Sequence, residues 1–423
     1  METVEIQKSF LQGEIKIPPS KSAAHRSIIC AALAKGVSLV SPISLSKDIK
    51  ATIFAVKSIG AKVEINGDTL IIDGTNTFIN KSAEIDCCES GSTLRFLIPI
   101  CAVGGVNAVF VGQGKLPERP IGAFLDLLPQ HNVECESAGG LPLKIKGKLT
   151  NGEFKIQGNI SSQYITGLLL SLPLLDGDSE IILTTSLESK AYVDMTIDIM
   201  KSFGVTIETT QSGYFIKGRQ EYKPQNFIVE ADWSQAGFFI TAGAINGDLK
   251  LLGLNINSVQ GDKEVVNIFK KMGADLTFED NILYVKKSRL VGVDIDASQI
   301  PDAVPTLAVA LAFAKGKSKI YGAERLRIKE SDRIESTVNG LNNIGIKAVA
   351  TSDGMIIYGD SAVCGKIKGY NDHRIVMSFS VAGSNIDGVT VIDDAMSVNK
   401  SYPDFFDEFN KLGGKANVIS VGE

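Results

Sequence analysis

With 423 residues, 44% of them apolar and 22% charged, the chain has the composition of an ordinary globular protein and is too long for a single core, which predicts two domains. A net charge of −5 and a pI near 5.5 argue against general affinity for nucleic acid or an anionic membrane, so any anion site must be a local gathering of cations. Three histidines lack metal-ligand spacing and six cysteines lack CxxC spacing, so the sequence predicts no dedicated metal site and a reducing cytoplasm. METVEIQKSF has no basic stretch leading into an apolar one, and no apolar run reaches membrane-span length, so neither a leader nor a membrane anchor is expected.

In chain order, VEIQKSFLQGEIKI reads as extended segments, and PPSKSAAHRSIICAALAKG as a helix with a proline-serine start, polar in its first turn and apolar on every side afterwards. An amphipathic stretch follows, then the octet SIGAKVEI and the strand-like run DTLIIDG. This succession returns six times, with octets SIGAKVEI, LPQHNVEC, SFGVTIET, KMGADLTF, NIGIKAVA and KLGGKANV spaced about every 70 residues. Five carry Gly in third place, suited to ending a helix in a left-handed turn, while the second has Gln130 there.

The relatives of the first apolar helix are SGSTLRFLIPICAVGG, SSQYITGLLLSLPLLDG, DWSQAGFFITAGAING, PDAVPTLAVALAFAKG and NDHRIVMSFSVAGS. A helix apolar all round must be enclosed, so six of them predict buried helices wrapped by sheets and outer amphipathic helices, three units to a domain. The N-terminal strands are expected to complete the sixth unit, so the chain would cross between domains near residues 18–21 and 223–232. A Ser or Asp at each helix start reads as a cap. Lys21, Arg26, Arg95 and Arg374 do not, because a cation in the first turn opposes the helix dipole; they imply a bound anion. KLPERPIG with Arg119, RLRIKESDRI with its six charges, and VNKSYPDFF with Lys400 add three polar clusters between repeats.

These clusters, PSKSAAHR, SGSTLR, ERPIG, SSQYITGLLL, SKAY, IPDA, RIKESDR, NDHR and NKSYPDFF, resemble in order and over nearly the whole chain the 5-enolpyruvylshikimate-3-phosphate synthase family of enolpyruvyl transferases. The resemblance implies an α/β (α+β) fold of six βαβαββ-like repeats, three per domain, with residues 1–19 plus 229–423 as one domain and 20–228 as the other, and an active site in the cleft between them. It implies that Lys21, Ser22, Arg26, Ser161, Ser162, Gln163, Ser189, Tyr192, Asp302, Arg325 and Lys329 contact shikimate 3-phosphate. Lys21, Gly91, Arg119, Gln163, Arg333, Arg374 and Lys400 would surround phosphoenolpyruvate. Asp302 would be the base and Glu330 the proton carrier, with Lys21 sharing that role. Glu89 and Arg325 depart from the family pattern, which commonly has Asn at both places.

The implied reaction adds the sugar 5-hydroxyl to C2 of phosphoenolpyruvate, protonates C3, and then expels phosphate. Joining two polyanions needs fixed cations, and the two stages need an acid and a base that exchange roles. No metal or organic cofactor is called for, and the chain has no GxxxxGK[ST] or GxGxxG loop. The implied partners are the two small substrates, with no nucleic acid or membrane, and the chain is expected to be a monomer. The rival reading within the fold is the UDP-N-acetylglucosamine enolpyruvyl transferase, which has a catalytic Cys in the loop that here reads VGQGKLPERP; a rival outside enzymes is a polyanion-binding repeat scaffold.

Overall fold

A computed structural model describes residues 2–420, and the chain divides into two compact units. One, the continuous unit, is Pro19–Val229. The other, the composite unit, joins the N-terminal stretch through Pro18 to the chain from Glu230 onward.

Each unit holds three four-stranded sheets built to one plan. In the second repeat, Ser82–Asp86 lies parallel to Asn107–Val111 across the helix Gly91–Gly104, and Val133–Glu136 and Leu143–Gly147 add an antiparallel hairpin. At the two crossings the strand stays behind while the following helix belongs to the other unit. Leu11–Lys16 pairs in parallel with Gly247–Leu252, and Asn226–Ile228 with Val37–Ser41. Of the two N-terminal strands only Glu2–Gln7 completes the sixth repeat, between Val389–Ile392 and Lys415–Ser420. The parallel place in that sheet is already filled by Lys366–Ile367, so Leu11–Lys16 completes the fourth repeat instead.

The six all-apolar segments form helices α1 (Lys21–Leu33), α2 (Gly91–Gly104), α3 (Ser162–Ser171), α4 (Trp233–Asn246), α5 (Val304–Ala312) and α6 (His373–Gly383). Every residue of α4, α5 and α6 is buried. Burial of each large aliphatic or aromatic side chain contributes about 1.5–3 kcal/mol, which is why these segments fill the centre of each unit. Outer helices such as Lys47–Ser58 and Arg333–Asn343 bury only one face.

The turn after the outer helix behaves as the octets predict in five repeats, with φ between 81° and 116° at Gly60, Gly204, Gly273, Gly345 and Gly413. In the second repeat the left-handed residue is Asn132 (φ 64°), two places beyond Gln130. Asn reaches this conformation at lower cost than other residues with side chains, so in this repeat the turn falls two positions later than the octet predicts.

Candidate active site

Helix starts are where this fold exposes unpaired N–H groups, and five of the six buried helices cap them with a side chain. Ser20, Ser90, Ser161, Asp232 and Asp372 accept from backbone N–H groups of the first turns of α1, α2, α3, α4 and α6. The exception is α5. It is preceded by the 3-10 turn Pro301–Ala303 and has no side-chain cap, and the carboxylate of Asp302 turns to cations instead.

In the continuous unit, Lys21 opens α1, and its Nζ lies 2.7 Å from Asp48 Oδ2. Arg26, one turn on and 2% exposed, donates from Nε to Thr196 Oγ1 (2.7 Å), from Nη1 to the Ser22 carbonyl (2.7 Å), and from Nη2 to Thr166 Oγ1 (3.4 Å) and the Tyr192 carbonyl (3.2 Å). All these acceptors are neutral, and burial pulls its pKa down to about 10. Its neighbour His25 is held well below its ordinary value by burial and then by Lys21 and Arg26. Ser161 caps α3, Ser162 and Gln163 form its first turn, and Gln163 joins α2 through Arg95 Nη1 (3.0 Å) and Ser92 Oγ (3.0 Å). Arg119 reaches the first residue of α2, Gly91. Ser189, buried and in a left-handed conformation (φ 53°), starts the helix Lys190–Ser202 that carries Tyr192 and Thr196.

The composite unit is organised around carboxylates. Asp302 accepts from Arg333 Nη1 (3.1 Å) and Arg374 Nη2 (3.1 Å), with Lys329 Nζ at 3.7 Å, and Arg374 Nη1 also holds the Asp302 carbonyl (2.9 Å). Burial alone would raise the Asp302 pKa, but Arg374, Lys329 and Arg333 together outweigh it and hold the carboxyl well below the usual range. Arg333 reaches three carboxylates: Glu330 through Nη2 (2.8 Å), Asp302, and the buried Asp372. Burial opposes its charge, and Asp372, Glu330 and Asp302 more than restore it, so its pKa is raised. Arg325 sits in the 3-10 turn Glu324–Ile328 and donates to the Ser298 carbonyl (2.6 Å), and Lys400, itself buried, ends the turn Ala395–Lys400. Arg327 of the same basic cluster ties Asp332 and Glu335 to the carbonyls of Thr351 and Ser352, which is a structural task.

The sequence thus marked residues that cluster within each unit, and it passed over several that hold them. Asp48, Thr52, Thr166 and Thr196 carried no motif signal because each looks like an ordinary helix residue. Asp372 reads as a cap from sequence, yet it also grips Arg333.

The fold is that of the enolpyruvyl transferases. The enolpyruvyl transferase NikO from Streptomyces tendae superposes with a TM-score of 0.82 at 17% identity, over 100% of this chain and 99% of its own. The EPSP synthase from Acinetobacter baumannii gives 0.85 at 27% identity, over 99% and 100%. A sequence profile of the EPSP synthase (3-phosphoshikimate 1-carboxyvinyltransferase) family matches residues 6–409. Proteins named 3-phosphoshikimate 1-carboxyvinyltransferase from Clostridium novyi and Clostridium acetobutylicum are each 45% identical over the full length of both chains. The chain belongs to the EPSP synthase family.

Proposed function

We infer that this chain transfers the 1-carboxyvinyl group of phosphoenolpyruvate to the 5-hydroxyl of shikimate 3-phosphate, releasing phosphate, as a step towards chorismate and the aromatic amino acids. The observation that carries the reading is 45% identity over both full lengths to a relative named for this activity. The residues divide the work in a way that suits it. Lys21, Ser22, Arg26, Ser161, Ser162, Gln163, Ser189, Tyr192, Arg325 and Lys329 hold the sugar phosphate together with Asp302. Gly91, Arg119, Arg333, Arg374 and Lys400 hold the donor with Lys21 and Gln163. Arginine forks match carboxylate and phosphate oxygens in pairs, and in a site shielded from water each such contact is stronger than in bulk.

Asp302 takes the proton of the attacking hydroxyl. In the free protein its carboxyl is held low by Arg374, Lys329 and Arg333, which would make a weak base. Substrate anions compete for those same cations, weaken their hold and let the carboxylate become more basic when the hydroxyl is in place. Glu330, held by Arg333, carries the proton to C3 with Lys21 sharing the task, and the roles reverse as phosphate leaves.

The protein acts as a monomer in a reducing cytoplasm, in keeping with six free cysteines, three of them buried. Among the described residues no helix is long and apolar enough to cross a membrane. A phosphate-release assay tests the function. Release is expected only when shikimate 3-phosphate and phosphoenolpyruvate are both present, and release with UDP-N-acetylglucosamine as acceptor would overturn the reading.

A further inference from the structure

Thr52 is fully buried in the outer helix Lys47–Ser58 and reaches two other helices through one oxygen. Its Oγ1 lies 2.7 Å from His25 Nδ1, in the first half of α1, and 2.7 Å from Thr93 Oγ1, in the first turn of α2. Thr93 Oγ1 donates in turn to Ser90 Oγ (2.8 Å), the side chain that caps α2. None of the four residues is more than 1% exposed. A buried helix threonine ordinarily spends its hydroxyl on the carbonyl one turn back, whereas Thr52 and Thr93 spend theirs on other side chains.

Each hydroxyl carries one hydrogen, which fixes the direction of the chain. Thr93 uses its hydrogen on Ser90, so Thr52 supplies the one between the two threonines. Thr52 then has none left, and His25 Nδ1 is the donor to it. Neutral His25 leaves its bare lone pair on Nε2, which is buried and has no polar partner among the described residues. The chain thus runs one way, from α1 through the outer helix to the cap of α2.

Lys21 and His25 are one turn apart on α1, and Asp48 and Thr52 are one turn apart on the outer helix. The pairs Lys21–Asp48 (2.7 Å) and His25–Thr52 are therefore successive rungs between these helices. The second rung continues to Ser90, which is followed directly by Gly91. Arg26 is anchored separately, by Thr166 of α3 and by Thr196 and the Tyr192 carbonyl. We propose that Thr52 is a positioning residue for the donor: its hydroxyl fixes the start of α1 against the start of α2, and so Lys21 against Gly91. The donor role of Lys21 and Gly91 rests on the function inferred above; the direction of the hydrogen-bond chain does not.

The test compares wild type with Thr52→Val, which keeps the shape and loses the hydroxyl, and Thr52→Ser, which keeps the hydroxyl and loses a methyl. Thr52→Val is expected to raise KM for phosphoenolpyruvate about tenfold while KM for shikimate 3-phosphate, whose Arg26 has its own anchors, stays within about twofold. Thr52→Ser is expected to stay within about twofold of wild type for both substrates. A role in packing alone predicts the reverse order, with the valine variant near wild type and the serine variant impaired. That order, or both KM values raised together in Thr52→Val, would overturn the proposal. Nitrogen-15 NMR of the ligand-free wild type needs no altered hydroxyl: the His25 signals, assigned by their loss in His25→Asn, are expected to show a protonated Nδ1 and a bare Nε2. A protonated Nε2 would break the chain and overturn the proposal as well. A wild type that releases no phosphate from the two substrates sinks the functional reading and the donor role with it, whereas normal wild-type turnover with unchanged KM values in Thr52→Val overturns the role of Thr52 alone.

Discussion

Asp372 grips Arg333 side-on, with Nε donating to Oδ2 at 2.8 Å and Nη2 to Oδ1 at 3.2 Å. That fork leaves Nη1 to reach Asp302 and lets Nη2 share itself with Glu330, so one buried guanidinium sets the positions of both carboxylates, the proposed base and the proposed proton carrier. Ser331 Oγ, 3.0 Å from Asp372 Oδ2, and the backbone N–H of Arg374 hold the aspartate in turn. A lysine has one point of charge and cannot span three carboxylates. Arg333→Lys is therefore expected to lower turnover by about 100-fold or more, and to cost about 3–5 kcal/mol of stability in urea titrations. Near-normal turnover would remove Arg333 from this central place.

Asp302→Asn removes a charge that the folded protein favours. The folded pKa lies below the unfolded one, so its stabilisation is present above the ordinary carboxylate range and is lost as pH falls through the folded value. The variant should be about 1–3 kcal/mol less stable than wild type at neutral pH, with the difference closing as the medium is made strongly acid, and its turnover should fall about 100-fold. A stability difference that widens in acid would contradict this sign.

Glu330→Gln keeps a partner for Arg333 Nη2 but cannot carry a proton. Its kcat is expected to fall about 100-fold, with both KM values within about threefold of wild type. A loss confined to KM would make Glu330 a binding residue only.

His25, buried with Nδ1 2.7 Å from Thr52 Oγ1, is neutral in the folded chain because burial and then Lys21 and Arg26 oppose its charge. Below a pH of about 6.5 the unfolded chain takes up a proton that the folded one refuses, so stability should fall by about 1.4 kcal/mol per pH unit from this group. His25→Asn, whose amide can donate to or accept from Thr52, is expected to flatten the curve by that amount. His131, lowered chiefly by burial, contributes with the same sign. Identical curves for variant and wild type would mean that His25 titrates normally.

Much of this was legible in the chain because it is local. A helix apolar on all faces must be buried wherever it occurs, and a cation in its first turn conflicts with the dipole whatever surrounds it. The octet glycines likewise mark their own turns, and the second repeat slipped only because Asn132 took over from glycine. What the sequence hid is non-local. Asp48 holds Lys21 across 27 residues, and Arg95 meets Gln163 across 68. That Asp302 differs from the capping Asp232 and Asp372 follows from Arg333 and Arg374 being folded against it. No pattern in PDAVP carries that information.

The proposed reaction turns on a proton given to C3 of the donor and taken away again. Turnover in D2O, followed by mass spectrometry of the vinyl group of the product, reads that step directly. A methyl stage in which solvent hydrogen joins the two original ones predicts deuterium in the product CH2. Phosphate released at the normal rate with a vinyl group free of deuterium would contradict it.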